Sequence, residues 1–121
     1  MSEAEAIRST AQLATRDDMA KLFAPRSEPF LMTNGTTAYL RGLNVEERAR
    51  MMNLDEGLDA LTIMLACGVI DAQGNPIFGA YKDALPFIRT LSLDPELIEM
   101  GKVIARLSGM DEESQQAIEG N

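Results

Sequence analysis

The sequence predicts a mainly α-helical domain of α+β type: a small helical fold with one β-hairpin near residues 30–40. Three observations carry this expectation. Ala, Leu and Met supply 15, 14 and 8 of the 121 residues and Val only 3, a balance that favours helix over strand. Side chains that cap helix N-termini stand at Thr15, Asn44 and Asp94, ahead of apolar-periodic runs. One Asn-Gly dipeptide, Asn34-Gly35, lies between two β-prone apolar runs. The length suits one domain, and Leu, Ile, Val and Phe make up about a quarter of it, above the roughly 20% below which a highly charged chain stays disordered.

Residues 1–14 are rich in Ala and Ser with a weak apolar pattern, and read either as a frayed helix or as a mobile arm. Thr15 three residues before Asp18 forms the pattern of a capping box, in which each side chain satisfies a backbone N–H, so a short helix runs from there through Phe23. Pro25 and Pro29 end it and impose an extended segment. Phe30 to Thr33 and Thr36 to Leu40 then flank Asn34-Gly35, which readily takes the positive φ angles of a type I′ turn. A lone hairpin is marginal in water, so its apolar face must lie on helices of this chain or on another subunit.

Asn44 and Glu47 repeat the box, with Leu43 as a hydrophobic staple, and start a helix from Val45 to about Asn53. Val45, Ala49 and Met52 mark one face of it, and Glu46 with Arg50 an ion pair along another. Asp55 or Glu56 reopens a helix at Gly57. Leu58, Leu61, Thr62 and Leu65 form its stripe, yet Ile63, Met64, Ala66 and Cys67 make it apolar nearly all round, so it is the central core helix or lies under a partner. Gly68 suits a helix C-cap. Val69-Ile70 and Ile77-Phe78 bracket a turn and allow a second small hairpin, and Pro86 shortens or kinks a helix between Tyr81 and Thr90. The last long helix carries Asp94 as N-cap, Pro95 and Glu96 in its first turn, Lys102 and Arg106 toward its end and Gly109 just past it. Its stripe is Leu97, Met100, Gly101, Ile104 and Leu107. A short acidic helix restarts after Met110 toward Ile118.

The composition excludes several chemistries. Without His there is no Ser-His or Cys-His nucleophile and no His zinc site, and the single Cys makes no intramolecular disulfide. Cys67, in an apolar helix with no base nearby in sequence, reads as a buried thiol with a raised pKa. Asp71 to Asn75 lacks the alternating oxygen ligands and closing Glu of a calcium loop and reads as a turn. Adjacent carboxylates such as Asp17 with Asp18 point apart and serve caps or solvated faces. The expected catalytic, cofactor and metal residues are therefore none, and the chain is not an enzyme. A net charge of −8 with scattered basic residues argues against nucleic acid, and no apolar span reaches membrane length. The N-terminus lacks the basic and apolar regions of a signal peptide, so a cytoplasmic protein is expected. Met51, Met52, Met64, Met100 and Met110 fill cores by default, or offer an adaptable surface to a helical partner.

The order of elements carries a resemblance. Thr15-x-x-Asp18, an extended run through Ala38 to Leu43, Asn44-x-x-Glu47, Val69-Ile70-Asp71-x-x-Gly74-x-Pro76-Ile77-Phe78 and Leu107-Ser108-Gly109-Met110-x-x-Glu113 before Asn121 together resemble the tail-assembly chaperones of long-tailed bacteriophages, from about residue 15 to the end. The resemblance implies a single domain over 15–121 that is not an enzyme, self-associates as a homo-oligomer, and binds the helical, apolar tape-measure protein. It implies that this client stays soluble until the major tail protein polymerises around it, that a longer frameshifted variant contacts the major tail protein, and that the chain works in the host-cell cytoplasm and is absent from the finished virion. Thr15, Asp18, Arg41, Gly42, Leu43, Asn44, Glu47 and Gly109 fall on structural motifs. For self-association or client binding the candidates are Phe30, Met32, Tyr39, Met51, Leu58, Leu61, Met64 and Leu65.

Two other classes fit the same composition. A small head-tail adaptor would remain in the virion. An acidic mimic of nucleic acid would use the C-terminal stretch, where seven acids and two bases follow residue 90.

Overall fold

In a computed structural model of the chain, residues 13–52 and 60–110 are described. The expectations for residues 1–12, for the helix start at Gly57 with Leu58, and for the helix after Met110 lie outside the described residues. Those residues form five helices and a three-stranded antiparallel sheet ordered β1-β2-β3, the α+β type read from the sequence.

The first helix, α1 (Arg16–Leu22), starts with the box as expected: Thr15 Oγ1 accepts from the Asp18 N–H at 3.1 Å, and the Thr15 N–H donates to Asp18 Oδ2 at 2.9 Å. It buries no residue. Strands β1 (Ser27–Leu31) and β2 (Thr37–Arg41) form the hairpin, with Phe30 opposite Ala38 and Pro29 opposite Tyr39. Strand β1 starts before the predicted run and takes in Pro29. The Gly42 N–H donates to Arg26 O and the Met32 N–H to Thr36 O, so the backbone groups of Ser27, Pro29 and Leu31 point away from β2. A proline there, on an edge strand, removes no ladder bond and blunts the free edge.

The turn differs from the predicted type I′. No non-glycine residue among those described has positive φ, and only Gly35 does in this loop, at 89°. The loop is three residues long, its Met32 O accepting from the Gly35 N–H at 2.9 Å. That is the hairpin family in which a glycine in the left-handed region follows an ordinary turn. The Asn34 carboxamide is engaged by Thr36 instead, accepting from its N–H and hydroxyl.

Helix α2 (Val45–Met52) is followed by α3 (Ala60–Gly68), β3 (Val69–Ile70), α4 (Tyr81–Ile88) and α5 (Pro95–Leu107). The predicted apolar face of α2 is overturned: Val45 is 88% exposed, Met52 is exposed too, and the buried residue is Glu47. The staple is absent as well, because the position it would meet is Arg48 and Leu43 turns into the core. The Glu46–Arg50 pair is present at 3.1 Å.

Of the two readings of α3, the core helix is the observed one. It packs on α2, α4 and α5, and Ile63, Leu65 and Ala66 are buried with Ala38 and Leu40 of the inner sheet face and Ile104 of α5. Gly68 is not a C-cap. It ends α3 without positive φ, the chain passes straight into β3, and a Cβ there would lie 2.7 Å from Ile104 Cδ1. Strand β3 pairs with β2, Val69 opposite Leu40, and on its other side makes a minimal hairpin, with an antiparallel bridge from Ile70 to Pro76 and the Ile77 N–H donating to Val69 O at 3.0 Å. Pro86 leaves α4 short, with Ala84 and Ile88 buried. Asp94 caps α5 by accepting from the Glu96 N–H at 2.8 Å. At the other end the Met110 N–H donates to Ala105 O at 2.8 Å and the Gly109 N–H to Arg106 O at 3.0 Å, with Gly109 at φ 70°, a Schellman cap.

Candidate functional site

Of the motif residues read as structural, Arg41, Gly42, Leu43, Asn44 and Glu47 meet at one joint beside the turn that holds Gly109, whereas Thr15 and Asp18 cap α1. Arg41 at the end of β2 donates from both guanidinium nitrogens to the two carboxylate oxygens of Glu47, each at 2.7 Å, and also to Gly42 O at 2.9 Å. Glu47 and Asn44 complete the second capping box, the Asn44 N–H donating to Glu47 Oε1 at 2.9 Å and the Glu47 N–H to Asn44 Oδ1 at 2.8 Å. On the other side the Leu43 N–H donates to Ser108 Oγ at 2.8 Å, and the Ser108 hydroxyl to Ile104 O at 2.6 Å. Gly42 lies against the Leu107 carbonyl, where a Cβ would come to 2.5 Å. Two segments 65 residues apart, the strand-to-helix joint and the terminal turn, thus form one structural unit.

Electrostatics follow from this packing. The hydrogen bonds it donates to Glu47 hold the Arg41 guanidinium above its usual range. Burial opposes ionisation of Glu47, but the hydrogen bonds from Arg41 and Asn44 outweigh it and hold the carboxyl below the usual range. Beside them, burial and then the Glu47 charge push the Cys67 thiol up to about 11. Cys67 is buried and protonated at neutral pH, as its setting in the sequence predicts.

Asp71 holds a turn: its Oδ1 accepts from the Gln73 and Asn75 N–H groups, each at 2.9 Å. Among the described residues no three His, Cys, Asp or Glu gather to hold a metal, and no helix is long and apolar enough to cross a membrane. What the surface does offer is apolar area. Met19 and Leu22 on α1 and Phe23 at its C-cap stand three and four residues apart and are exposed, Phe23 by 72%. On the outer face of the sheet Pro29, Leu31 and Tyr39 share one side, with Leu31 73% exposed. A third feature is an open cleft of about 250 Å³ between α3 and the α4–α5 connection, lined by Leu61, Thr62, Leu65, Ile88, Leu93 and Leu97. Of the stripe read on α3, Leu61, Thr62 and Leu65 therefore line this cleft.

The association candidates are scattered by the fold. Tyr39 is exposed on the outer sheet face, whereas Phe30 and Met32 turn inward and are half-buried against the core. Met51, Leu61 and Met64 are half-buried, Leu65 is wholly inside the chain's own core, and Leu58 lies outside the described residues. Leu22, Phe23 and Leu31 are exposed residues that the sequence reading did not select. Their signals were present: helical spacing with Met19 for the first two, and strand alternation for Leu31, which must face opposite to Phe30.

No family model and no curated protein matches the chain. Among solved structures it is similar to the bacteriophage HK97 tail assembly chaperone, with a TM-score of 0.54 and 17% identity, over 88% of this chain and 98% of that one. The resemblance read from the ordered motifs is thus matched at the level of the fold, and the chain shares the fold of a phage tail assembly chaperone.

Proposed function

We propose that this chain is a non-enzymatic tail-assembly chaperone of a long-tailed bacteriophage. In this reading it self-associates, binds the tape-measure protein through apolar contacts, and keeps that long helical client soluble until the major tail protein polymerises around it. It acts in the host-cell cytoplasm and leaves before the virion is complete. The observation that carries the reading is the likeness in fold to the HK97 tail assembly chaperone across nearly all of that protein. Exposed apolar residues on α1 and on the outer sheet face support it, because a transient apolar client needs exchangeable apolar surface that the host fold does not use for its own core. The net charge of −8 keeps such a surface in solution.

The test is co-expression with the tape-measure protein of the same phage, followed by fractionation and light scattering. Soluble co-purification with several copies of this chain per client is the expected result. An insoluble tape measure beside a monomeric 13.2 kDa chain would overturn the reading. Mass spectrometry of purified particles adds the second arm, since a chaperone is absent there and an adaptor is present.

A further inference from the structure

Helix α2 is attached to the fold in an unusual way. Its buried residue is a carboxylate, Glu47, at 8% exposure, while Val45 and Met52 stand in solvent and Met51 is half-buried. Polar contacts hold it down: the paired Arg41–Glu47 bonds, the box with Asn44, and Arg50 placed 4.4 Å above the ring of Tyr81 on α4. Beside Glu47 lies Cys67 of α3, buried and close enough for the carboxylate charge to act on its thiol. The largest fully buried side chains, Leu40, Ile63, Leu65 and Ile104, belong to β2, α3 and α5. Among its described apolar side chains, α2 adds to this core only the half-buried Met51. Elements with few buried apolar contacts open at lower free energy than the core they rest on.

We propose that α2 is a detachable cover over the Cys67 face of α3, latched by the Arg41–Glu47 ion pair, and that it lifts while the sheet, α3, α4 and α5 stay folded. Lifting bares an apolar patch of α3 without unfolding the chain. The device stands independently of the client assigned above, because it depends only on how α2 is fastened.

Cys67 is the sole thiol of the chain and reports directly on the opening. Its alkylation by iodoacetamide is followed in the full-length chain at increasing urea, beside global unfolding by far-ultraviolet circular dichroism. The expected result is labelling through an opening whose urea slope is well below that of global unfolding, since the slope scales with the surface exposed. In Glu47→Gln, labelling quickens roughly tenfold to hundredfold, the range of a lost charged hydrogen bond, with helix content retained. Equal slopes for labelling and global unfolding in the wild-type chain would overturn the proposal, and that comparison stands even where Glu47→Gln does not fold. A folded Glu47→Gln that labels at the wild-type rate would overturn the latch.

Discussion

Arg41, Glu47 and Cys67 show how three side chains of ordinary type acquire particular chemistry from their neighbours. Glu47 is held below its ordinary value of 4.5, so its contribution to stability is complete above that value and is lost as pH falls through the folded one. Cys67 is pushed from 9.0 up to about 11. The folded chain keeps a proton that the unfolded chain gives up, so this contribution is intact below pH 9.0 and is lost as pH rises toward 11. Urea midpoints measured across pH should then fall at both ends. Glu47→Gln should make the acid limb shallower, and Cys67→Ala the alkaline limb. The glycines at close approaches should differ in the same assay. In Gly42→Ala the new methyl meets the backbone carbonyl of Leu107, which cannot swing aside, and a loss of about 2–3 kcal/mol is expected. In Gly101→Ala it meets only Cδ1 of Leu61, the far end of a flexible side chain beside an open cleft, and the loss should stay under about 1 kcal/mol.

At the scale of elements, ends and faces matter more than propensity. Helix α5 is fastened at both: Asp94 caps its start, the Glu96 carboxylate accepts from the Thr33 N–H and hydroxyl at 2.7 Å each, and Ser108 ties its end to Leu43. Gly109→Ala places a Cβ at φ 70° in the Schellman cap and should lower stability by about 1 kcal/mol in a urea titration. Helix α1 is the opposite case. It has a complete capping box and no buried residue, so Leu22→Ser with Phe23→Ser should change the unfolding free energy from a urea titration by less than about 0.5 kcal/mol.

For the whole molecule, the question is which apolar surface is spent on the chain's own core and which is left over. Leu65 belongs to the first class, and Phe23, Leu31 and Tyr39 to the second. Light scattering of Leu31→Asp with Phe23→Asp should show a folded chain whose assemblies are smaller than wild type or gone. Leu65→Asp should fail to fold, because it places a charge in the core without a partner. Client capture that survives moderate salt would set apolar burial apart from an electrostatic mimic, whose binding to a basic partner is screened.

Local signals determined a good deal by themselves. Both capping boxes, the Asp94 and Gly109 ends of α5, the hairpin, the short Pro86 helix and the buried thiol follow from side chains within a few residues of one another, so they are legible without neighbours from elsewhere in the chain. The order of those signals also carried the likeness in fold. What only the tertiary structure decided involves partners distant in sequence. Whether α3 was a core helix or an interface, that β3 joins β2, that Gly68 makes room for Ile104 rather than taking a positive φ, and that α2 turns Glu47 rather than Val45 inward all depend on chain segments tens of residues away. Glu47 is the sharpest instance. Periodicity ranks a glutamate as solvent-facing, and only Arg41 arriving on β2 with both donors aligned makes its burial favourable.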